Sequence, residues 1–146
     1  MINPFQDSYL HRLTSWSNLR RHTATLPLDQ ACVEIDKWWQ QAPLVARHLH
    51  PQDTENWTDP WEILSENTYC LLTRAIGMCY NLLMVGIKDV RLVIASDNQA
   101  EEHYLVLVDN SKYTLNYWPG SVISTSPEEF TIIRDLPLDS ILHKIK

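Results

Sequence analysis

Helices first and antiparallel strands second is the order written into this chain. It predicts an α+β fold, with N-terminal helices and a central buried helix packed on an antiparallel sheet. Three observations carry that reading. Residues 68–85 are apolar on almost every side, as a helix wrapped by its own protein must be. Three short runs rich in β-branched and aromatic residues follow, at 90–95, 104–108 and 113–117. The last two are joined by Asp109-Asn110-Ser111-Lys112, a tight hairpin connection.

The remaining elements fall into place around these. Residues 6–22 read as a helix, with Leu10, Leu13, Trp16 and either Leu19 or Arg20 at three- and four-residue steps. A second helix starts in Leu26-Pro27-Leu28-Asp29, with Asp29 as its expected N-cap. It buries Cys32, Ile35 and Trp39, with Trp38 alongside, and stops before Pro43. Residues 44–57 carry no regular period. Asp59-Pro60-Trp61-Glu62 places a cap, a proline and an acid where a helix begins. The central helix then runs from Thr68 to Met84 or Val85 and ends near Gly86. Short strands are expected at Val122-Ile123 and at Phe130 to Ile133. No repeat or linker divides the 146 residues. One domain is expected over 1–146, with a core at about 28–123, the N-terminal helix at 6–22 and a C-terminal extension.

Composition narrows the function. A hydrophobic share of 45% and a net charge of −6 suit a globular protein without a general electropositive surface, so no nucleic acid is expected as partner. Neither a leader-like segment nor a membrane-length apolar run is present, so no membrane partner is expected. Cys32, Cys70 and Cys79 are an odd number with no zinc-like spacing, which points to a reducing, cytoplasmic setting and to no metal or other cofactor. Six tryptophans against three glycines is an unusual balance. Trp57, Trp61 and Trp118 either fill the core or rim a binding cleft.

Chemistry concentrates at two places. Cys70, Arg74, Gly77 and Asn81 share one face of the central helix at steps of four, three and four. Cys79, nine residues on, points about 180° away and should not pair with Cys70. Cys70 is expected at the second or third helical position, capped by Asn67 or Thr68. There the unpaired N–H groups and the helix dipole stabilise a thiolate. On this evidence Cys70 is either that nucleophile or a small buried hydrophobe, whereas Cys32 and Cys79 belong to apolar stripes. The second place is the hairpin. With residue 108 facing 113, side chains 103, 105 and 107 share a sheet face with 114, 116 and 118, which makes His103 and Asn116 diagonal neighbours. An amide oxygen in that position holds an imidazole in one orientation. Asp109 lies about 20 Å along the strand and is no alternative.

The order of these parts resembles the bacterial transglutaminase-like cysteine proteinases of the papain-like superfamily. That family has a Trp-x-Thr-Pro-x-Glu segment, a Gly-Gly-Asp-Cys-Glu-Asp motif opening a helix, a Gly-Ile ending it, a histidine strand and a Leu-Asp-Asn strand. The matching stretches here are Asn56-Trp57-Thr58-Asp59-Pro60-Trp61-Glu62, Thr68-Tyr69-Cys70-Leu71-Leu72, Gly86-Ile87, His103 to Val108, and Tyr113-Thr114-Leu115-Asn116-Tyr117. The chain is similar to short, degenerate sequences of bacteriophage genomes, which would place it in a host cytoplasm.

The resemblance implies a thiol-dependent hydrolase or acyl-transfer enzyme acting on peptide, isopeptide or side-chain amide bonds. Cys70 would be the nucleophile, His103 the base and Asn116 the orienting group where the family more often has Asp. The Cys70 N–H and Asn67 are the oxyanion candidates. Departures from the motif matter: Asn67-Thr68-Tyr69 replace its glycines and Asp, and Leu71-Leu72 replace its acids. In periplasmic relatives those acids help bind calcium, so calcium is not expected. The alternative is a catalytically inactive transglutaminase-like domain that binds another protein or serves as a phage structural or accessory module. On either reading the partner is a protein or peptide.

Overall fold

The computed structural model describes residues 3–45, 51–117, 122 and 130–142. A 3-10 turn at Pro4–Gln6 precedes α1 (Tyr9–Thr23), so the first helix starts later than its apolar spacing predicts. The reason is local: Ser8 is extended and its Oγ accepts from His11 N, which makes Ser8 the cap. Helix α2 (Leu28–Trp39) takes Pro27 rather than Asp29 in the cap position, leaving Asp29 in the first turn, where its charge complements the dipole. Helix α3 (Pro60–Glu66) begins as its sequence predicts, with Asp59 Oδ1 accepting from Glu62 N at 2.8 Å. It ends on Asn67 in the left-handed conformation (φ 53°).

Helix α4 (Leu71–Met84) is the axle of the fold. Eleven of its fourteen residues are buried, which leaves it no solvent face. It closes on Gly86 at φ 94°, a conformation glycine adopts without strain, and Ile87 N returns to Leu82 O. The strands β1 (Val90–Asp97), β2 (Glu102–Val108), β3 (Tyr113–Leu115) and β4 (Phe130–Leu136) form an antiparallel sheet in the order β3-β2-β1-β4. The hairpin register is the expected one, Val108 opposite Tyr113. A bulge between Ile94 and Ala95 interrupts the pairing of β1 with β4. Beyond β3, Thr114 N donates to Val122 O, whereas Ile123 lies outside the described residues. A short α5 (Asp139–Leu142) follows β4. No helix among the described residues is long and apolar enough to cross a membrane.

Three helices meet at one amide. Asn81 Oδ1, fully buried on α4, accepts from Trp16 Nε1 of α1 at 2.6 Å and from Trp39 Nε1 of α2 at 2.7 Å. One turn earlier Gly77 lets the Trp39 ring lie flat on α4. A Cβ there would sit 2.6 Å from ring carbons. Arg74, a further turn back, donates to Gln40 Oε1, Gln40 O and Ala42 O, and so takes up carbonyls left open at the end of α2. The polar stripe of Arg74, Gly77 and Asn81 is therefore the docking face for α2.

Replacing Asn81 by Leu keeps the branched shape, adds some bulk and strands two buried indole N–H groups. Urea unfolding should show a loss of about 2–4 kcal/mol. Gly77→Ala should cost about 1–3 kcal/mol in the same measurement, because the tightly held Trp39 ring has to move.

Candidate functional site

Cys70 is the residue before α4, not its second or third position. Its backbone is extended (φ −118°, ψ 178°) because the preceding residue is tied sideways: Tyr69 forms a parallel bridge with Leu44, and Tyr69 O accepts from Val45 N at 2.7 Å. The expected caps Asn67 and Thr68 therefore belong to the end of α3 and the link after it. The thiol still lies at the helix N-terminus, where first-turn N–H groups and the dipole favour an anion. It is 5% exposed, and its sulfur stands 3.3 Å from Thr73 Oγ1. Cys70 shares a cavity of about 220 Å³ with Leu44, Val45, Leu71, Leu72 and Tyr104. Leu44, Val45 and Leu71 are 48%, 52% and 36% exposed, so the mouth of this cavity is apolar. Cys32 and Cys79 are fully buried, as their stripes imply, and no disulfide links the three thiols. Burial pushes the Cys32 thiol up to about 12, helped by the negative charges of Asp29, Asp109 and Asp36, and burial also raises Cys79.

His103 does not stand with Cys70. Helix α4 packs on the even-numbered face of β2, where Tyr104, Val106 and Val108 join Leu72, Ala75 and Ile76 in the main core. The odd-numbered face carries Leu105 and Leu107, which form a second cluster with Val93 and Ala95. His103 pairs with Ala95 across the ladder, and its ring meets Tyr117 edge-on at 5.1 Å, so it belongs to this far face. Its Nε2 bonds Asp97 Oδ2 at 2.9 Å. Helix α4 thus docks on the face opposite His103, and the expected grouping of Cys70 with His103 is not formed. Both faces of β2 are apolar, so strand alternation alone could not say which one receives the helix.

Asn116 departs from parity in the other direction. It has φ 66°, which ends β3 at Leu115 and turns the side chain towards α4. Its Nδ2 donates to Leu71 O at 3.1 Å and Tyr104 O at 2.9 Å, and its backbone N–H donates to Asp36 Oδ1 at 2.8 Å. The two carbonyls fix which end of the amide is nitrogen. Asn116 Oδ1 is left buried with no hydrogen-bond partner. The structure therefore brings together Asn116 and the helix start that carries Cys70, and separates His103 from both.

The other sequence candidates disperse. The Asn67 side chain turns to the N-terminal segment, Nδ2 donating to Phe5 O at 2.9 Å, which gives the proposed oxyanion donor a structural task. Trp57 is wholly buried, so it is core rather than rim. Trp61 is 40% exposed but packs edge-on against Trp16 of α1 and does not line the Cys70 cavity. Trp118 and the histidines at 48, 50 and 143 lie outside the described residues. What the sequence reading missed is Tyr104, and with it Leu44 and Val45. The tyrosine's even-numbered place on β2 was the available signal.

No family model matches the chain, and no curated protein matches it either. Solved structures do. LapG of Legionella pneumophila, a bacterial transglutaminase-like cysteine protease, superposes with a TM-score of 0.69 at 16% identity, covering 87% of this chain and 73% of LapG. The fold is transglutaminase-like. An EGTA-treated LapG structure gives 0.69 at 15% identity over the same shares, and a calcium-bound one gives 0.70 at 13%, covering 86% of this chain and 74% of LapG. At such identities the likeness concerns the backbone and leaves the chemistry to the residues. Calcium does not fit beside Cys70, because Leu71 and Leu72 line an apolar cavity and offer no side-chain oxygen. Among the described residues the group able to hold a metal ion is Asp97, Glu101 and His103, whose ligand atoms lie within 4.8 Å of one another on the far side of the sheet. Its carboxylate is already engaged: Asp97 Oδ1 accepts from Gln99 N and Glu101 N, closing the β1–β2 turn.

That engagement sets a pH dependence. The His103 ring first, then the N–H groups of Glu101 and Gln99, hold the Asp97 carboxyl below its ordinary value. A depressed folded-state pKa contributes stability above the unfolded value, and the contribution disappears as pH falls through the folded one. Between about pH 5 and pH 2 the urea midpoint of the wild type should therefore fall more steeply than that of Asp97→Asn.

Proposed function

We propose that this chain is a transglutaminase-like domain that works by binding a protein partner and does not form an acyl-enzyme. The observation that carries the reading is the separation of the sulfur from His103. The imidazole is bonded to Asp97 and packed on Tyr117 at one face of the sheet, while Cys70 opens into the apolar cavity at the other. A general base has to reach the proton it removes, directly or through one water, and a packed sheet between the groups prevents that. The contact surface is the Cys70 cavity with its rim of Leu44, Val45 and Leu71. It suits an aliphatic side chain of a protein or peptide, since a concave apolar site with few polar groups selects apolar surface.

A second reading is thiol-dependent hydrolysis or acyl transfer on a peptide, isopeptide or side-chain amide bond. It is favoured by the place of Cys70 at the α4 N-terminus, where a thiolate is stabilised. It requires a base other than His103.

Alkylation by iodoacetamide, followed residue by residue with mass spectrometry, separates the two. In the native protein Cys32 and Cys79 should stay inert. Cys70 should react with a rate that rises as an ordinary thiol titrates, around pH 8–9. A Cys70 rate that stays level down to about pH 6 would reveal a standing thiolate–imidazolium pair and overturn the binding reading.

A further inference from the structure

The turn between β1 and β2 gathers three chelating side chains on the far side of the sheet. Ala95 pairs with His103 in the ladder, and Asp97 N donates to Glu101 O at 3.0 Å across the turn. Strand alternation therefore sets Asp97, Glu101 and His103 on one face, the face away from α4. Their ligand atoms, an imidazole nitrogen and two carboxylate oxygens, lie within 4.8 Å of one another. From this placement we infer that the turn binds a divalent first-row metal ion, zinc above all, through His103, Asp97 and Glu101. The site lies across the sheet from the Cys70 cavity and is independent of how that cavity is read.

Spacing, anchorage and access all suit an ion. His103 Nε2 and Asp97 Oδ2 are 2.9 Å apart. Two ligand atoms on a tetrahedral zinc ion, each about 2.0–2.1 Å from it, stand about 3.3 Å from one another. A small opening of the pair admits the metal. Asp97 Oδ1 accepts from Gln99 N at 2.8 Å and from Glu101 N at 2.9 Å, which leaves Oδ2 aimed at the ring. The ring is braced edge-on by Tyr117 at 5.1 Å. Ligands held by such outer contacts give up little freedom when the ion arrives. The His103 and Asp97 side chains are 19% and 17% exposed and Glu101 is exposed, so the ion has an entry path and Glu101 is free to close over it.

The donor types select the metal. Imidazole suits zinc, cobalt, nickel and copper, whereas calcium takes oxygen ligands and more of them than this turn supplies. Three protein ligands leave a tetrahedral ion one position for water. Coordination uses the Nε2 lone pair, so the ring of the loaded site keeps its proton on Nδ1. The ion then replaces the proton between His103 and Asp97 and joins the ends of both strands, so metal that binds the folded turn stabilises the fold.

The test uses the full, untagged chain stripped with EDTA, with zinc and cobalt as the probes. Competition against a chromophoric chelator should show zinc bound to the wild type. His103→Gln keeps a hydrogen-bonding partner for Asp97 and removes the imidazole, and it should weaken zinc binding by more than about tenfold, as should Glu101→Gln. At about 100 times its Kd, zinc should raise the thermal midpoint of the wild type by about 5–10 °C, and calcium should leave it unmoved. The cobalt-loaded protein should show visible bands without the near-ultraviolet band of a sulfur ligand. Should a variant not fold, NMR of the wild type decides, because zinc should shift the His103 Nε2 signal to that of a metal-bound nitrogen. Failure of zinc to bind overturns the inference. So does zinc affinity that both variants leave unchanged, an equal midpoint shift with calcium, or an unmoved His103 Nε2 signal in zinc-saturated protein.

Discussion

One carboxamide holds the helical half of the molecule together. Asn81 accepts from two indole N–H groups on two other helices, so its oxygen ties α4 to both α1 and α2. An indole is a donor with no alternative role, and a buried donor left unpaired is costly, so the two tryptophans lock their helices at fixed heights along α4. Gly77 supplies the clearance that allows Trp39 to reach that oxygen. With those heights set, Arg74 meets the carbonyls leaving α2, and the segment after Ala42 is delivered to Tyr69. The Cys70 cavity is the end product of this chain of contacts, because Leu44 and Val45 form its wall only when α2 ends where Arg74 holds it.

The sheet side of the cavity is settled by a second constraint, the choice of face. Helix α4 buries Leu72, Ala75 and Ile76 in the core that Tyr104 and Val106 share, and everything on the odd-numbered face of β2 is thereby excluded from the thiol. His103 finds another role there, fastening the β1–β2 turn through Asp97. A left-handed residue at the end of β3 sends Asn116 back to the thiol side. Two residues that strand arithmetic places on one face are consequently parted by a single positive φ. Likeness of backbone to LapG does not fix the site for this reason: the fold depends on layers and helix heights, whereas a site depends on which of two alternate side chains faces the helix.

Much of this was legible. The α+β order, the buried central helix, the helix start at Asp59-Pro60, the stop at Gly86 and the 108–113 hairpin register all follow from patterns within a few residues. Local backbone chemistry writes them directly into the sequence. The stripe of Arg74, Gly77 and Asn81 was visible too, although its meaning as the landing face for two tryptophans was not. The failures have a common cause. Asn67 as an oxyanion candidate and His103 as a base came from the family resemblance, and Trp57 stood open between core and cleft rim. The contacts that decide them come from Phe5, from Asp97 and from the core respectively.

The sequence by itself determined where helices and strands form, and it determined that a thiol would stand at the start of a buried helix, because capping, periodicity and turn chemistry act over short range. Only the tertiary structure decided which face of β2 that helix would cover, and so whether His103 would lie on its side of the sheet. The physical reason is that β2 is apolar on both faces. Burial drives either face inward equally well, and the selection falls to packing and hydrogen bonds with α2, α4 and the end of β3, residues distant in the chain.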